Sequence, residues 1–227
     1  MFAVFVNTIA VIIGSLIGLF FKEKIPKNIS APIMTGIGLC TLSIGISGTL
    51  KGENSLLLII SIVLGVIIGE LIGLDRKIEL IGGFFQNRLN KNDDNKIVEG
   101  FVTGSLLFCI GAMTIIGSLN AGLLGDYKML YTKSILDMIA AFMLSTTLGV
   151  GVLFSSIFVF VFQGAIVLLA QSLQTILNSV IIAELTSVGS LLIIAIGLNI
   201  IGITKIKVAN FLPSIFLVPL IYWLLFS

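Results

Sequence analysis

The chain has 227 residues, of which 57% are hydrophobic and only 11% charged, with a mean hydropathy of +1.20 and a formal net charge of +2. A soluble domain carries about 25% charged residues, so there is too little polar side chain here to cover a water-facing surface, and lipid must be the solvent for most of the chain. The absence of histidine excludes imidazole bases and His metal ligands, and a small net charge without a basic run excludes a nucleic-acid binder.

A membrane span needs about 20 apolar residues. The opening run, Phe2 to Phe21, precedes the first lysine, Lys22; lacking a positive n-region, it reads as a membrane helix rather than a cleaved signal peptide. Apolar runs follow at 31–50, 55–74 and 98–120. Between the last two lies a polar insert, Asp75 to Asn95, in which Ile78, Ile81, Phe85 and Leu89 recur at helical steps beside Arg76, Lys77, Arg88 and Lys91. This pattern predicts an amphipathic helix on the inner leaflet, with a short solvated hairpin as the alternative.

From Met138 to Ala183 no residue is charged. As one helix this stretch would be about 70 Å long, against a hydrocarbon core of about 30 Å, so it must fold back. Ser155-Ser156, after Gly149 and Gly151, is the expected place, giving spans at 131–153 and 156–174, followed by 187–203 and 207–226. Leu173 to Thr186, polar at Gln174, Asn178 and Glu184, fits either an outer interfacial helix or the end of the sixth span. The expected fold is therefore all-α: a polytopic helical membrane protein of about eight transmembrane helices forming a single domain over 1–227. A seven-span reading merges the fifth and sixth runs.

Orientation follows from Lys and Arg. With the N-terminus outside, the inner connections hold Lys22, Lys24, Lys27, Arg76, Lys77, Arg88, Lys91, Lys96, Lys205 and Lys207, and only Lys51, Lys128 and Lys133 lie outside. Tyr127, Tyr131, Tyr222 and Trp223, every Tyr and Trp in the chain, then fall at outer helix ends, where an aromatic belt belongs.

Two segments recur. Val11 to Leu19 (VIIGSLIGL) returns as Val66 to Leu74 (VIIGELIGL), differing only at Ser15 against Glu70, each with a GxxxG, Gly14/Gly18 and Gly69/Gly73, which lets helices approach closely in lipid. Gly104 to Gly117 (GSLLFCIGAMTIIG) aligns without gaps to Gly189 to Gly202 (GSLLIIAIGLNIIG), placing Thr114 opposite Asn199. The proposed topology runs these two copies in opposite directions, and the likeness continues into Lys133 with Asp137 and Lys207 with Asn210. Partly inverted hairpin repeats are the usual construction of alternating-access transporters.

Lys133 and Asp137, four apart, share a helix face, and an ionisable group at membrane depth points to function. A self-satisfied structural pair with Lys133 snorkelling to the headgroups stands beside that reading. Glu70, near Arg76 and Lys77, reads as snorkelling or paired. Asn7, Thr114, Asn199 and Asn210 interrupt apolar runs, as interhelical glue or as the lining of a polar path. Cys40 and Cys109 lie in spans and read as small apolar packers; Pro213 and Pro219 are expected to kink the last span.

Gly45-Ile-Ser-Gly48 has the form of an intramembrane serine protease motif, but that chemistry needs a histidine. Gly122-Leu-Leu-Gly-Asp126 is not the GxGD of membrane aspartyl proteases, and no phosphate or dinucleotide loop is present. No catalytic set, metal site or cofactor is therefore expected.

The segment Gly125-Asp-Tyr-Lys-Met-Leu-Tyr-Thr-Lys-Ser-Ile-Leu-Asp137, preceded by Ile110-Gly-Ala-Met113 and followed by Thr147-Leu-Gly-Val-Gly-Val152, resembles domain-of-unknown-function family 554. So do Gly197 to Gly202 with Lys205 to Pro213, and Asn7-Thr with the glycines of the first span, so that the likeness covers essentially the whole chain. Met138 stands where the family usually has a small residue. The resemblance implies a prokaryotic inner-membrane, multi-pass protein and singles out Asp126, Lys133, Ser134, Asp137, Asn199 and Asn210; it implies no reaction or substrate.

The expected function is a transporter or channel-like permease for a small polar or charged solute, with Lys133, Asp137, Thr114, Asn199, Asn210 and Asn7 as the substrate or ion pathway. The other reading is a membrane scaffold or accessory subunit whose GxxxG faces bind partner helices. The implied partners are the bilayer and a small molecule or ion, and a homo-oligomer is compatible with either.

Overall fold

The computed structural model describes residues 1–22, 27–77 and 94–225. These form helices α1 (Phe2–Lys22), α2 (Lys27–Thr49), α3 (Ser55–Ile72), α4 (Asp94–Cys109), α5 (Ala112–Leu123), α6 (Lys128–Leu148), α7 (Val150–Leu168), α8 (Ala170–Gln174), α9 (Ser179–Ile201) and α10 (Pro213–Leu225), with a 3-10 turn at Val208–Phe211. The protein is an all-helical membrane protein. Five of these helices, and α10 taken together with the 3-10 turn before it (Val208–Leu225), are long and apolar enough to cross a bilayer, and α4 with α5, bent by 58° at their junction, make a seventh. The 21-residue α6 is of spanning length too, but Lys128, Lys133 and Asp137 dilute its apolar character; counting it gives the expected eight. The predicted surface helix at 75–95 lies almost wholly outside the described residues.

The chain divides into two compact units, Met1–Ile37 with Asn95–Ile176, and Gly38–Asp94 with Leu177–Ser227.

In the first unit, α1 lies along α6. Gly14 and Gly18 make this possible: a Cβ at Gly14 would collide with the Met138 carbonyl, and one at Gly18 with the carbonyl of Phe142. Because 14 meets 138 and 18 meets 142, the two helices run the same way. Helix α7 runs back, since Phe5 packs its ring on Phe160 and Met1 reaches Gly164, while Lys22 at the far end of α1 sits beside Gly149. The reversal is therefore at Gly149, six residues before the expected Ser155-Ser156. Gly149 has φ 74°, a conformation that costs a residue with a Cβ roughly 1–2 kcal/mol. Ser155 and Ser156 instead lie inside α7, their hydroxyls bonded to the carbonyls of Val152 and Leu153.

Helix α4 runs with α7, Gly151 packing on Ile97 and Gly104 on Ser155, and α5 continues in that direction until Gly122 meets Val167 and Ala170. The expected fourth span is thus a broken one. The break is at Gly111, φ 150°, and the Thr114 hydroxyl reaches back across it to the Phe108 carbonyl at 3.0 Å.

In the second unit, the later half of α2 packs antiparallel on α9, Gly38 against Ile201 and Gly48 against Ser190, while Gly65 and Gly69 of α3 pack on Ser214 and Asn210. Asn178 caps α9 by accepting from Ile181 N, so residues 179–186 belong to this span, which settles the segment left open in the sequence. Pro213 begins α10, the helical position where a missing N–H is harmless, instead of kinking it; Pro219 lies inside the helix.

The repeats are not matched in conformation. The copy carrying Gly111 is broken there, whereas α9 is continuous through the aligned Ile196. In α3 the packing glycines are Gly65 and Gly69, and Gly73, the counterpart of Gly18, caps the helix in the left-handed conformation.

Candidate functional site

The sequence puts polar groups into four helices of the first unit, and the packing gathers them toward the end that holds Met1. Toward the end of the unit that holds Met1 is an apolar layer: Ala3 and Val4 of α1, Ala121 of α5, Leu130 of α6 and Val167 of α7. Deeper lies a second apolar cluster, comprising Val11, Phe108, Cys109, Ala141, Leu144, Leu148, Val152 and Val159. Stepping one turn at a time between them gives Asn7 on α1 (between Val4 and Val11), Gln163 on α7 (between Val167 and Val159), and Lys133, Ser134 and Asp137 on α6 (between Leu130 and Ala141), with Ser118 of α5 at the edge of the first apolar layer, next to the Gly117 that packs on Leu130. All are buried. A polar layer one helical turn thick, about 5.4 Å, is thus closed on both sides by hydrocarbon.

Its centre is an ion pair. Lys133 Nζ donates to Asp137 Oδ1 at 2.7 Å and Oδ2 at 2.8 Å, with the residues 6% and 5% exposed. Asn7 Nδ2 donates to Asp137 Oδ2 at 3.0 Å. Since α6 starts at Lys128, Asp137 lies about 14 Å along the helix, and Lys133 turns its ammonium inward to that carboxylate; it does not snorkel toward its own end of the helix. Burying both charges is costly unless each is paired and hydrogen-bonded, which Asn7 helps to satisfy. Cys109, which ends α4 at the break, packs in one apolar cluster with Ala141 of α6, one turn beyond Asp137.

Among the described residues, several polar atoms of the layer have no partner: Asn7 Oδ1, Ser118 Oγ, and both Gln163 Oε1 and Nε2. Asn7, Ser118 and Gln163 are wholly buried, and in an apolar interior such groups cost free energy until something bonds them. Among the described residues no three His, Cys, Asp or Glu side chains gather as they would around a metal ion.

Of the six expected pathway residues, the structure joins Asn7, Lys133 and Asp137 directly and sets Thr114 at the adjoining helix break. Asn199 and Asn210 belong to the second unit and hold backbone there. Asn199 donates to the Ile206 carbonyl and accepts from Ile206 N and the Thr204 hydroxyl, closing the turn after α9, and Asn210 Oδ1 accepts from Asp75 N at 2.7 Å.

The chain matches the family model "Protein of unknown function (DUF554)" over residues 2–223. It belongs to the DUF554 family. Two similar proteins carry this match across whole chains. "Uncharacterized membrane protein YdfK" of Bacillus subtilis (strain 168) is 34% identical over 229 residues, covering 99% of this chain and 97% of its own. "Uncharacterized protein YqgA" of Escherichia coli (strain K12) is 29% identical over 217 residues, covering 94% and 92%. No solved structure matches.

In this DUF554 chain the sequence reading missed Gln163 and Ser118, and named Glu184 only as a polar residue of the segment 173–186. Gln163 is the only amide between Met138 and Leu168, a signal as clear as that of Asn7. Glu184 is the only charged residue between Asp137 and Lys205. It is buried in the second unit, its Oε1 accepting from Glu53 N and Asn54 N at 2.8 Å each, so it pins the chain just ahead of α3.

Proposed function

We propose that this protein is a transporter or channel-like permease for a small polar or charged solute, with the Lys133–Asp137–Asn7 layer as its substrate site. The observation that supports this most is the buried polar layer itself: three helices interrupt their apolar faces between two hydrocarbon layers, with hydrogen-bonding atoms left over. Packing alone gains nothing from such a layer, since apolar replacement of a buried ion pair is often neutral or stabilising. A helix broken next to a polar site is a recurring element of transporters, because its free backbone groups serve the substrate. Alternating access through inverted hairpins draws support from the aligned segments of sequence, and the polar layer stands without it.

The scaffold reading loses its surface. Of the GxxxG glycines that would receive a partner helix, Gly14 and Gly18 are filled by α6 and Gly69 by Asn210, and Gly73, which is open, caps its helix and does not lie on a helix face.

Uptake by the purified protein in liposomes, screened over candidate solutes with and without ion gradients, tests the proposal. Flux above that of protein-free vesicles is expected, and a screen with none for any class of small solute would overturn it.

A further inference from the structure

Resting on that transport reading, the same layer also carries information about what it takes. We infer that its substrate is a solute of zero net charge bearing both a hydrogen-bond donor and an acceptor.

Charge comes first. Lys133 and Asp137 form a buried one-to-one pair, both carboxylate oxygens are held by the lysine ammonium, and Oδ2 is held by Asn7 as well. A cation entering this layer would have to take the carboxylate from Lys133 and leave an ammonium beside itself, and an anion would have to take the ammonium from Asp137 and leave a carboxylate. Either adds a net charge to a layer enclosed by hydrocarbon, where an isolated ion is strongly disfavoured. A neutral solute disturbs neither partner.

Hydrogen bonding comes second. The atoms left unpartnered are all uncharged and of both kinds: Asn7 Oδ1 and Gln163 Oε1 accept, Gln163 Nε2 donates, and Ser118 Oγ does either. They come from α1 and α7, between the two apolar clusters, and from α5 beside Leu130 at the edge of the layer. A site built of amides and a hydroxyl, with donors and acceptors mixed, complements an amide, a urea or a small polyol.

Stopped-flow light scattering on liposomes containing the full chain tests this. Vesicles are challenged with gradients of urea, acetamide or glycerol, and in parallel with potassium chloride and sodium acetate in the presence of an ionophore that balances charge. Wild type is expected to pass at least one neutral probe well above the protein-free rate, with no ionic flux. Gln163→Met, which keeps the volume and removes the amide, should lower that flux at least tenfold while its unfolding midpoint in detergent stays close to wild type. Ionic flux that is lost in Asp137→Asn, without neutral flux, would overturn the inference and leave the transport reading standing. No flux of either class would overturn both. If Gln163→Met does not fold, the wild-type comparison of neutral against ionic probes decides by itself, and neutral flux unchanged in a folded Gln163→Met would overturn the assignment of the layer.

Discussion

Asn7 Nδ2 lies 3.0 Å from Asp137 Oδ2 although 130 positions separate the two in sequence. The contact exists because Gly14 and Gly18 let α1 settle onto the backbone of α6, which carries Asn7 to the level of the Lys133–Asp137 pair. Close packing thus builds the site, and the site's chemistry and the helix pairing can be tested separately.

The ion pair should show strong coupling in stability. Lys133→Met or Asp137→Leu alone leaves a buried charge without its partner and should cost roughly 3–5 kcal/mol, whereas the double change should recover most of it. Unfolding of the four proteins in detergent measures this, and additive losses would show the pair to be solvated.

At the helix pairing, Gly14→Ala places a methyl group on the Met138 carbonyl and should destabilise by about 1–3 kcal/mol. Gly36→Ala meets nothing within 4 Å and should stabilise by about 0.5–1 kcal/mol through lower chain entropy and better helix propensity. Equal effects at the two positions would remove the close approach of α1 and α6.

Glu184 offers a third test. Glu184→Gln retains an acceptor for the amides of Glu53 and Asn54, so its cost should be small. Glu184→Leu leaves both donors unsatisfied, at about 1–3 kcal/mol each where they are buried. Similar melting of the two variants would show that the carboxylate's charge, and not its hydrogen bonding, holds that loop.

Topology can be read from the second unit. Asn210 bonds Asp75, so Arg76, Lys77, Lys205 and Lys207 gather at one end, while Lys51 lies by Glu184 at the other. The positive-inside rule then predicts that Lys51→Cys is labelled from outside intact cells and Lys205→Cys is not, in a background lacking Cys40 and Cys109. Outside labelling at 205 would reverse the orientation.

Much of this was legible from residue order. Apolar runs located α1, α2, α3 and α7, because a lipid-facing helix must be apolar along its length. The Lys133–Asp137 pair was visible from its four-residue spacing. The reversal at Gly149 was less so, because serine inside a helix can bond the backbone a turn earlier, as Ser155 does, and so need not mark a turn. Likewise, aligned letters did not carry conformation: Gly111 sits at a break and Ile196 within a continuous helix, since a glycine permits a break that a β-branched residue opposes. Gln163 was visible as a lone amide in an apolar run, but that it shares a layer with Asn7 and the ion pair emerges only once α7 is set beside α1.

The most direct measurement is solute uptake by liposomes containing the Lys133→Met, Asp137→Leu double variant, compared with wild type at equal reconstitution and equal thermal stability in detergent. A folded double variant with no uptake is predicted, because the apolar replacement preserves the helix packing and removes the centre of the polar layer. Full uptake by that variant would contradict the account, since the buried pair would then serve the fold alone.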